Sequence, residues 1–83
     1  MKVLYFAWLR QKIGTGEETL DPPTGVETAG QLVDWLKTRG PGYEAAFKDA
    51  RAVKIAVNQA FGTRDTPIAA NDEVAFFPPV TGG

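Results

Sequence analysis

The chain has 83 residues, of which 43% are hydrophobic and 23% charged, so it has enough apolar residues for one small core. Nine basic residues stand against ten acidic ones, and this balance does not favour binding to a nucleic-acid backbone. Cysteine and histidine are absent, which excludes disulfides, thiolate or imidazole metal sites, and Ser-His or Cys-His catalysis. No apolar run approaches the roughly 18 residues of a membrane span, and no cleavable signal is recognisable. We therefore expect a cytoplasmic protein.

The first part of the chain has the pattern of a β-hairpin. Residues 2 to 9 are rich in β-branched and aromatic types, and both alternating sets are largely apolar. This predicts a strand with both faces covered. Residues 14 to 16, Gly-Thr-Gly, predict a turn, and residues 17 to 20 predict a returning strand.

Helical periodicity begins after Thr28, because Leu32, Trp35 and Leu36 fall on one helix face. Thr28 and Gln31 have the spacing of a capping box, and a Gly-Pro pair follows residue 39. These signals predict a main helix over residues 29 to 39. Residues 43 to 48 predict a short second helix with Phe47 turned inward.

The second half of the chain predicts three further strands. Residues 53 to 57 alternate with Val53, Ile55 and Val57 inward, a turn-prone Asn-Gln pair follows, and residues 60 to 62 suit an edge strand. Residues 70 to 72 suit a turn, and residues 73 to 77 form the last predicted strand. The order predicts an α+β fold with a mixed sheet of four to five strands packed on one main helix.

The sequence shows no internal group of residues that resembles a catalytic site. Carboxylates at the predicted turns and strands could act as acid and base, but such residues are usually solvated; they are Glu17, Glu18, Asp21, Asp72 and Glu73. Lys54 could be a reactive amine, yet its place between two inward residues predicts an exposed side chain. Trp8 and Trp35 are expected to pack in the core, because tryptophan side chains are more often core residues than platforms for a ligand.

The C-terminal segment is unusual, since two prolines are followed by Val80, Thr81, Gly82 and Gly83. Glycine has no Cβ and enters narrow spaces, whereas a diproline stays extended and cannot continue a central strand. Four residues beyond the prolines can span about 13 to 14 Å, enough to reach a partner's active site. We expect a folded domain over residues 1 to 79 and a flexible tail over residues 80 to 83.

Three aromatic residues remain once the opposite strand faces have filled the core, namely Phe6, Phe61 and Phe77. Exposed aromatic groups tend to anchor partners, so we predict a partner-binding surface that also includes Pro78 and Pro79. The alternative is that some of these rings complete a small core.

The last twelve residues, from Asp72 to Gly83, resemble the signature of the small, sulfur-carrying subunit of molybdopterin synthase. Residues 2 to 10, the helix after Thr28, and residues 57 to 59 match this family in position and type. Residues 41 to 52 resemble it little, and Asn71 stands where many members have glycine. The resemblance implies a ubiquitin-like β-grasp fold.

The same resemblance implies a mechanism centred on Gly83. A ubiquitin-activating-type adenylating enzyme would use Mg-ATP to convert the Gly83 carboxylate to an acyl-adenylate, and sulfur from a persulfide donor protein would displace AMP. The resulting thiocarboxylate would attack cyclic pyranopterin monophosphate inside the large synthase subunit, within a heterotetramer. No cofactor is expected on the carrier, and catalytic side chains are expected on the large subunit.

Several other functions are compatible with such an ending. Sulfur could go to the thiamine thiazole, to a tRNA base or to a tungsten-pterin pathway. Gly83 could instead be joined to a lysine of a target protein, as in a ubiquitin-like modifier. A plain β-grasp binding module with an inert tail is the remaining alternative.

Overall fold

The computed structural model describes residues 1–79 and contains five strands and three short α-helices. The strands are β1 (Lys2–Tyr5), β2 (Glu17–Thr19), β3 (Lys54–Val57), β4 (Ala60–Gly62) and β5 (Glu73–Phe77). The helices are α1 (Trp8–Ile13), α2 (Ala29–Lys37) and α3 (Pro41–Ala46), with a 3-10 turn at Ala50–Ala52. Within the described range, no helix has the length and apolar character needed to cross a membrane.

The strands form one mixed sheet in the order β2-β1-β5-β3-β4. The two central strands, β1 and β5, run parallel, and every other neighbouring pair is antiparallel. Val3 lies opposite Val74, and Tyr5 lies opposite Phe76, which also faces Ile55. These residues are all buried, as the strand period of two requires for one core-facing side. The prediction of an α+β fold with a mixed sheet is confirmed.

Helix α2 provides the main packing partner of the inner sheet face. Its Leu32, Val33 and Leu36 are buried in the same cluster as the inward strand residues. The predicted capping box is present, since the Thr28 hydroxyl accepts from the Gln31 amide at 3.2 Å and the Gln31 side chain accepts from the Thr28 amide at 3.1 Å. The helix ends at Lys37, two residues earlier than predicted.

The second predicted helix is also present, and Phe47 is fully buried beside it. Helix α3 begins at Pro41, two residues before the predicted start, because proline suits the first turn of a helix. The Phe47 ring meets the Phe76 ring edge to face, with centroids 5.1 Å apart. The prediction that Phe47 turns inward is confirmed.

The prediction of a strand through residue 9 is wrong, because β1 ends at Tyr5 and α1 begins at Trp8. Leu9 and Ile13 have helical spacing, and Leu9 enters the core from α1. Gly14, with φ 98°, closes the helix in the left-handed conformation. The second face of β1 is not fully covered either, since Lys2 is exposed and Leu4 is only partly buried.

Candidate functional site

The outer face of the sheet carries a row of apolar residues opposite the face that packs on α2. Leu4 lies opposite Ala75, Ala75 lies opposite Ala56, and Ala56 lies opposite Phe61. The first three are partly buried, whereas Phe61 is 84% exposed. The row therefore crosses four strands and ends in a ring that projects into solvent.

Phe6, Phe61 and Phe77 together form what we call the aromatic face. The Phe61 and Phe77 ring centroids lie 6.0 Å apart. The Phe6 amide donates to the Phe76 carbonyl at 3.1 Å, which places Phe6 beside the strand that leads to the C-terminus. A groove of about 530 Å³ adjoins this face, lined by Lys54, Ile55, Phe61, Gly62, Phe77 and Pro79.

A tight turn places Phe61 on this face. Asn58 and Gln59 both have left-handed backbone conformations, with φ values of 52° and 69°. Two such residues in succession match the two-residue turn whose twist suits a β-hairpin. They return the chain so that Ala60 pairs with Val57 and Phe61 with Ala56. The predicted turn and edge strand are confirmed.

The start of β5 is held by hydrogen bonds from the same turn. The Asn58 amide group donates to Asp72 Oδ1 at 3.0 Å, and its oxygen accepts from the Glu73 amide at 3.0 Å. The Asn58 bond and a second one from the Ala69 amide lower the pKa of Asp72. Because β5 also pairs on both sides, the place where the chain leaves the sheet is defined.

At the exit, Pro78 is partly buried and Pro79 is exposed. The predicted reactive tail, from Val80 to Gly83, lies outside the described residues. Its role and the predicted boundary between domain and tail therefore stay predictions. The predicted exposure of Phe6 and Phe61 is confirmed, while Phe77 is half-buried against Phe61.

Among the candidate carboxylates, Glu18 departs from the solvated surface role that its sequence context indicated. Its side chain is 18% exposed and accepts hydrogen bonds from Tyr43 at 2.7 Å, Tyr5 at 2.8 Å and Arg39 at 3.1 Å. The Arg39 guanidinium also lies over the Trp35 and Tyr43 rings, 5.4 and 4.9 Å from their centroids. Local patterns could not reveal this cluster, because its members come from three separate segments.

The Glu18 cluster shifts the ionisation of its own members. Burial opposes the charged form of Glu18, but hydrogen bonds from Tyr43, Tyr5 and Arg39 outweigh burial and lower the pKa of this carboxyl. Burial, followed by the bond to Glu18, raises the pKa of Tyr5 above its usual range. These shifts hold a carboxylate ionised and a phenol neutral, which suits a structural link between elements.

The other candidates have ordinary surface roles. Glu17 lies 3.7 Å from Lys2 in an exposed ion pair, and the Lys54 side chain is exposed, as predicted. Trp8 and Trp35 pack at the margin of the core. Within residues 1–79, no cluster of three or more acidic side chains has a spacing that could hold a metal ion.

A five-stranded mixed sheet around one main helix, with β1 and β5 parallel at its centre, defines a ubiquitin-like β-grasp protein. The chain belongs to the ThiS family, whose model matches residues 3–83. It is 41% identical over 85 residues to the molybdopterin synthase sulfur carrier subunit of Escherichia coli (strain K12), with 100% of this chain and 99% of that protein covered. The family resemblance found in the sequence is thereby confirmed.

Solved structures agree with this assignment. A putative molybdopterin converting factor subunit 1 from Pyrococcus furiosus has a TM-score of 0.77 and 34% identity, with 95% of both chains covered. The small archaeal modifier protein SAMP1 of Haloferax volcanii has a TM-score of 0.74 and 27% identity, with 100% of this chain and 98% of that chain covered. The β-grasp fold implied by the resemblance is confirmed.

Proposed function

We propose that this protein carries sulfur for molybdopterin synthesis as a thiocarboxylate on Gly83. The observation that carries the proposal is the match along the whole chain to the E. coli sulfur carrier subunit. The absence of cysteine supports it, because sulfur must then be held by another group. The terminal acyl group is suited to that role, since it can be activated without any side chain of the carrier.

The chemistry follows from the weakness of a carboxylate as an electrophile. In a cytoplasmic adenylating enzyme, the Gly83 carboxylate attacks the α-phosphorus of Mg-ATP and pyrophosphate leaves. A donor persulfide then attacks the acyl carbon and AMP leaves. Cleavage of the acyl disulfide by a thiol releases the thiocarboxylate. This nucleophile reacts with cyclic pyranopterin monophosphate in the large synthase subunit, which supplies the catalytic side chains.

In this cycle, the folded part of the chain serves to dock the carrier on its partner proteins. The aromatic face lies beside the tail exit, so one partner can hold Phe61 and Phe77 while the residues after Pro79 extend toward its active site. Pro78 and Pro79 restrict the conformations of the tail before binding, which lowers the ordering cost of association. Gly82 and Gly83 suit a narrow channel because they have no Cβ.

Mass spectrometry of the intact protein tests the carrier function. The protein is incubated with ATP, an adenylating enzyme and a persulfide donor, with an E. coli-type carrier as the positive control. We expect replacement of one oxygen by sulfur at Gly83, and no replacement in a variant lacking Gly83. An unchanged terminus, under conditions that charge the control carrier, would contradict the proposal.

Binding measurements test the docking surface separately. Phe61→Asp and Phe77→Asp should each weaken the complex with the large subunit, because each places a charge in an apolar contact. Thr24→Asp is the matched control, since Thr24 is exposed in the segment before α2, at the opposite end of the sheet from Pro79. Wild-type affinity in both phenylalanine variants would exclude this surface from the interface.

The likeness to a small archaeal modifier protein favours one second candidate, covalent attachment of Gly83 to lysines of other proteins. Both functions require the same acyl-adenylate and differ in the nucleophile that follows. Lysine-linked adducts in cell extract would support the modifier function. Abundant thiocarboxylate without such adducts would favour the carrier.

A further inference from the structure

A basic side chain lies within the surface that the proposed function assigns to docking. Lys54 lies directly opposite Phe77 in the β3-β5 register and lines the groove beside Phe61 and Pro79. It also lines a second groove of about 310 Å³, together with Arg51, Val53, Ile55, Gly62, Thr63 and Arg64. The two grooves share Lys54, Ile55 and Gly62, so they adjoin each other, with the aromatic face beside one and Arg51 beside the other.

Of the three cations that line these grooves, Lys54 has no carboxylate partner in the described chain and Arg51 has only a distant one. No carboxylate of residues 1–79 lies within 4.0 Å of the Lys54 ammonium. Arg51 is 98% exposed, and its contact with Asp49 is long, at 3.9 Å. Arg64 differs, because both oxygens of Asp34 hold it, at 3.1 and 3.2 Å. Neither groove is lined by an acidic residue of the described range.

Docking on the aromatic face would remove water from the Lys54 side chain. Its stem can lie along Phe61 and Phe77, but an ammonium group that loses water without gaining a partner is unfavourable. A surface that covers Phe61 and Phe77 therefore binds more favourably if it supplies an anion at Lys54. Two cations that line one groove, on a chain of net charge −1, suit a few carboxylates better than a nucleic-acid backbone.

We propose that the large subunit covers the aromatic face with an acidic segment, whose Asp or Glu side chains pair with Lys54 and Arg51. The inference rests on the proposed function, because it adds a charge requirement to the same docking surface. Lys54 acts as a specificity contact: it favours partners with a carboxylate at that point and disfavours those with a cation. Arg51 extends the same preference along the groove.

The test measures binding of the full-length carrier to its cognate large subunit at several salt concentrations. Lys54→Met keeps the stem and removes the charge, and Lys54→Glu reverses the charge. Lys12→Glu makes the same reversal at an exposed position of α1. We expect Lys54→Glu to weaken binding about tenfold or more at low salt, since like charges would then meet. The loss should shrink between about 0.05 and 0.5 M salt because screening increases.

Further arms separate specific pairing from a general charge effect. Lys54→Met should give a shallower dependence of affinity on salt, while Lys12→Glu should match the wild type. Replacing the acidic residues of the large subunit's docking segment with lysine should restore binding to Lys54→Glu. Added single-stranded DNA should not compete, and strong competition would indicate a nucleic-acid site instead.

The binding data distinguish failure of the Lys54 ion pair from failure of the docking surface. Wild-type affinity and salt dependence in Lys54→Met and Lys54→Glu, alongside weak binding by Phe61→Asp, would remove Lys54 and leave the docking surface in place. Tighter binding by Lys54→Met would likewise contradict a favourable ion pair. Wild-type binding by Phe61→Asp and Phe77→Asp would instead reject the docking surface itself.

Discussion

The Tyr5 hydroxyl lies 2.8 Å from Glu18 Oε2, and this hydrogen bond joins the centre of the sheet to its edge strand. Tyr5 is 1% exposed and stacks on Phe76, with ring centroids 6.3 Å apart. The Tyr5 ring therefore lies in the core, while its hydroxyl group reaches the Glu18 carboxylate, to which Arg39 and Tyr43 also donate hydrogen bonds. The short strand β2 is held by this contact as well as by its backbone pairing with β1.

Tyr5→Phe should lower the free energy of unfolding by about 1 to 2 kcal/mol, because Glu18 loses a buried donor but keeps two others. Urea unfolding monitored by tryptophan fluorescence measures the change. Combining Tyr5→Phe with Glu18→Gln should cost less than the sum of the two single changes, since the residues are in contact. A Tyr5→Phe variant as stable as the wild type would show that this bond adds no net stability.

The stability of the protein should depend on pH through Glu18. Its folded-state pKa is lowered, so its contribution is complete above the unfolded pKa of about 4.3 and is lost as the pH falls through the lower folded pKa. The difference in unfolding free energy between the wild type and Glu18→Gln should therefore shrink from about pH 6 to pH 3. Asp72 titrates equally in both proteins, so the difference isolates Glu18. A constant difference would contradict this prediction.

Gly42→Ala should destabilise the fold although alanine favours helices. A Cβ at this position in α3 would lie 2.5 Å from the Lys12 backbone oxygen, at the end of α1. The two helices would have to separate, at a cost of about 1 to 3 kcal/mol. Ala45→Gly, exposed on the same helix, serves as a control and should cost about 0.5 to 1 kcal/mol. A thermal midpoint for Gly42→Ala at or above the wild-type value would contradict the close approach.

Ala7→Gly should stabilise the protein. Ala7 has φ 55° and ψ −130°, a conformation that glycine adopts readily and other residues adopt at a cost of about 1 to 3 kcal/mol. Relief of this strain, less the entropy that glycine loses on folding, should raise the unfolding free energy by about 0.5 to 2 kcal/mol. Equilibrium unfolding measures the gain. A loss of stability would show that Ala7 is not strained in solution.

Much of this architecture was encoded in short stretches of sequence. The Thr28 and Gln31 pair predicted the start of α2, the Asn58-Gln59 pair predicted the β4 hairpin, and the alternation in residues 53 to 57 predicted β3. Each depends on neighbouring residues, so its physical cause is present in the local pattern. The segment from Asp72 to Gly83 pointed to the family in the same way, because a signature of consecutive residues is itself a local pattern.

Other features were decided by contacts between distant segments. Residues 6 to 9 have strand propensity, yet the core accepts Leu9 from a helix, so tertiary packing overrode the local preference. Glu18 looked like a surface carboxylate until Tyr5, Arg39 and Tyr43 met around it. Lys54 came to lie beside Phe77 through strand pairing across 23 residues of sequence. Such pairings depend on which distant segments pack into one core. The periodicity of a short segment does not determine its distant partners, so the sequence pattern could not predict them.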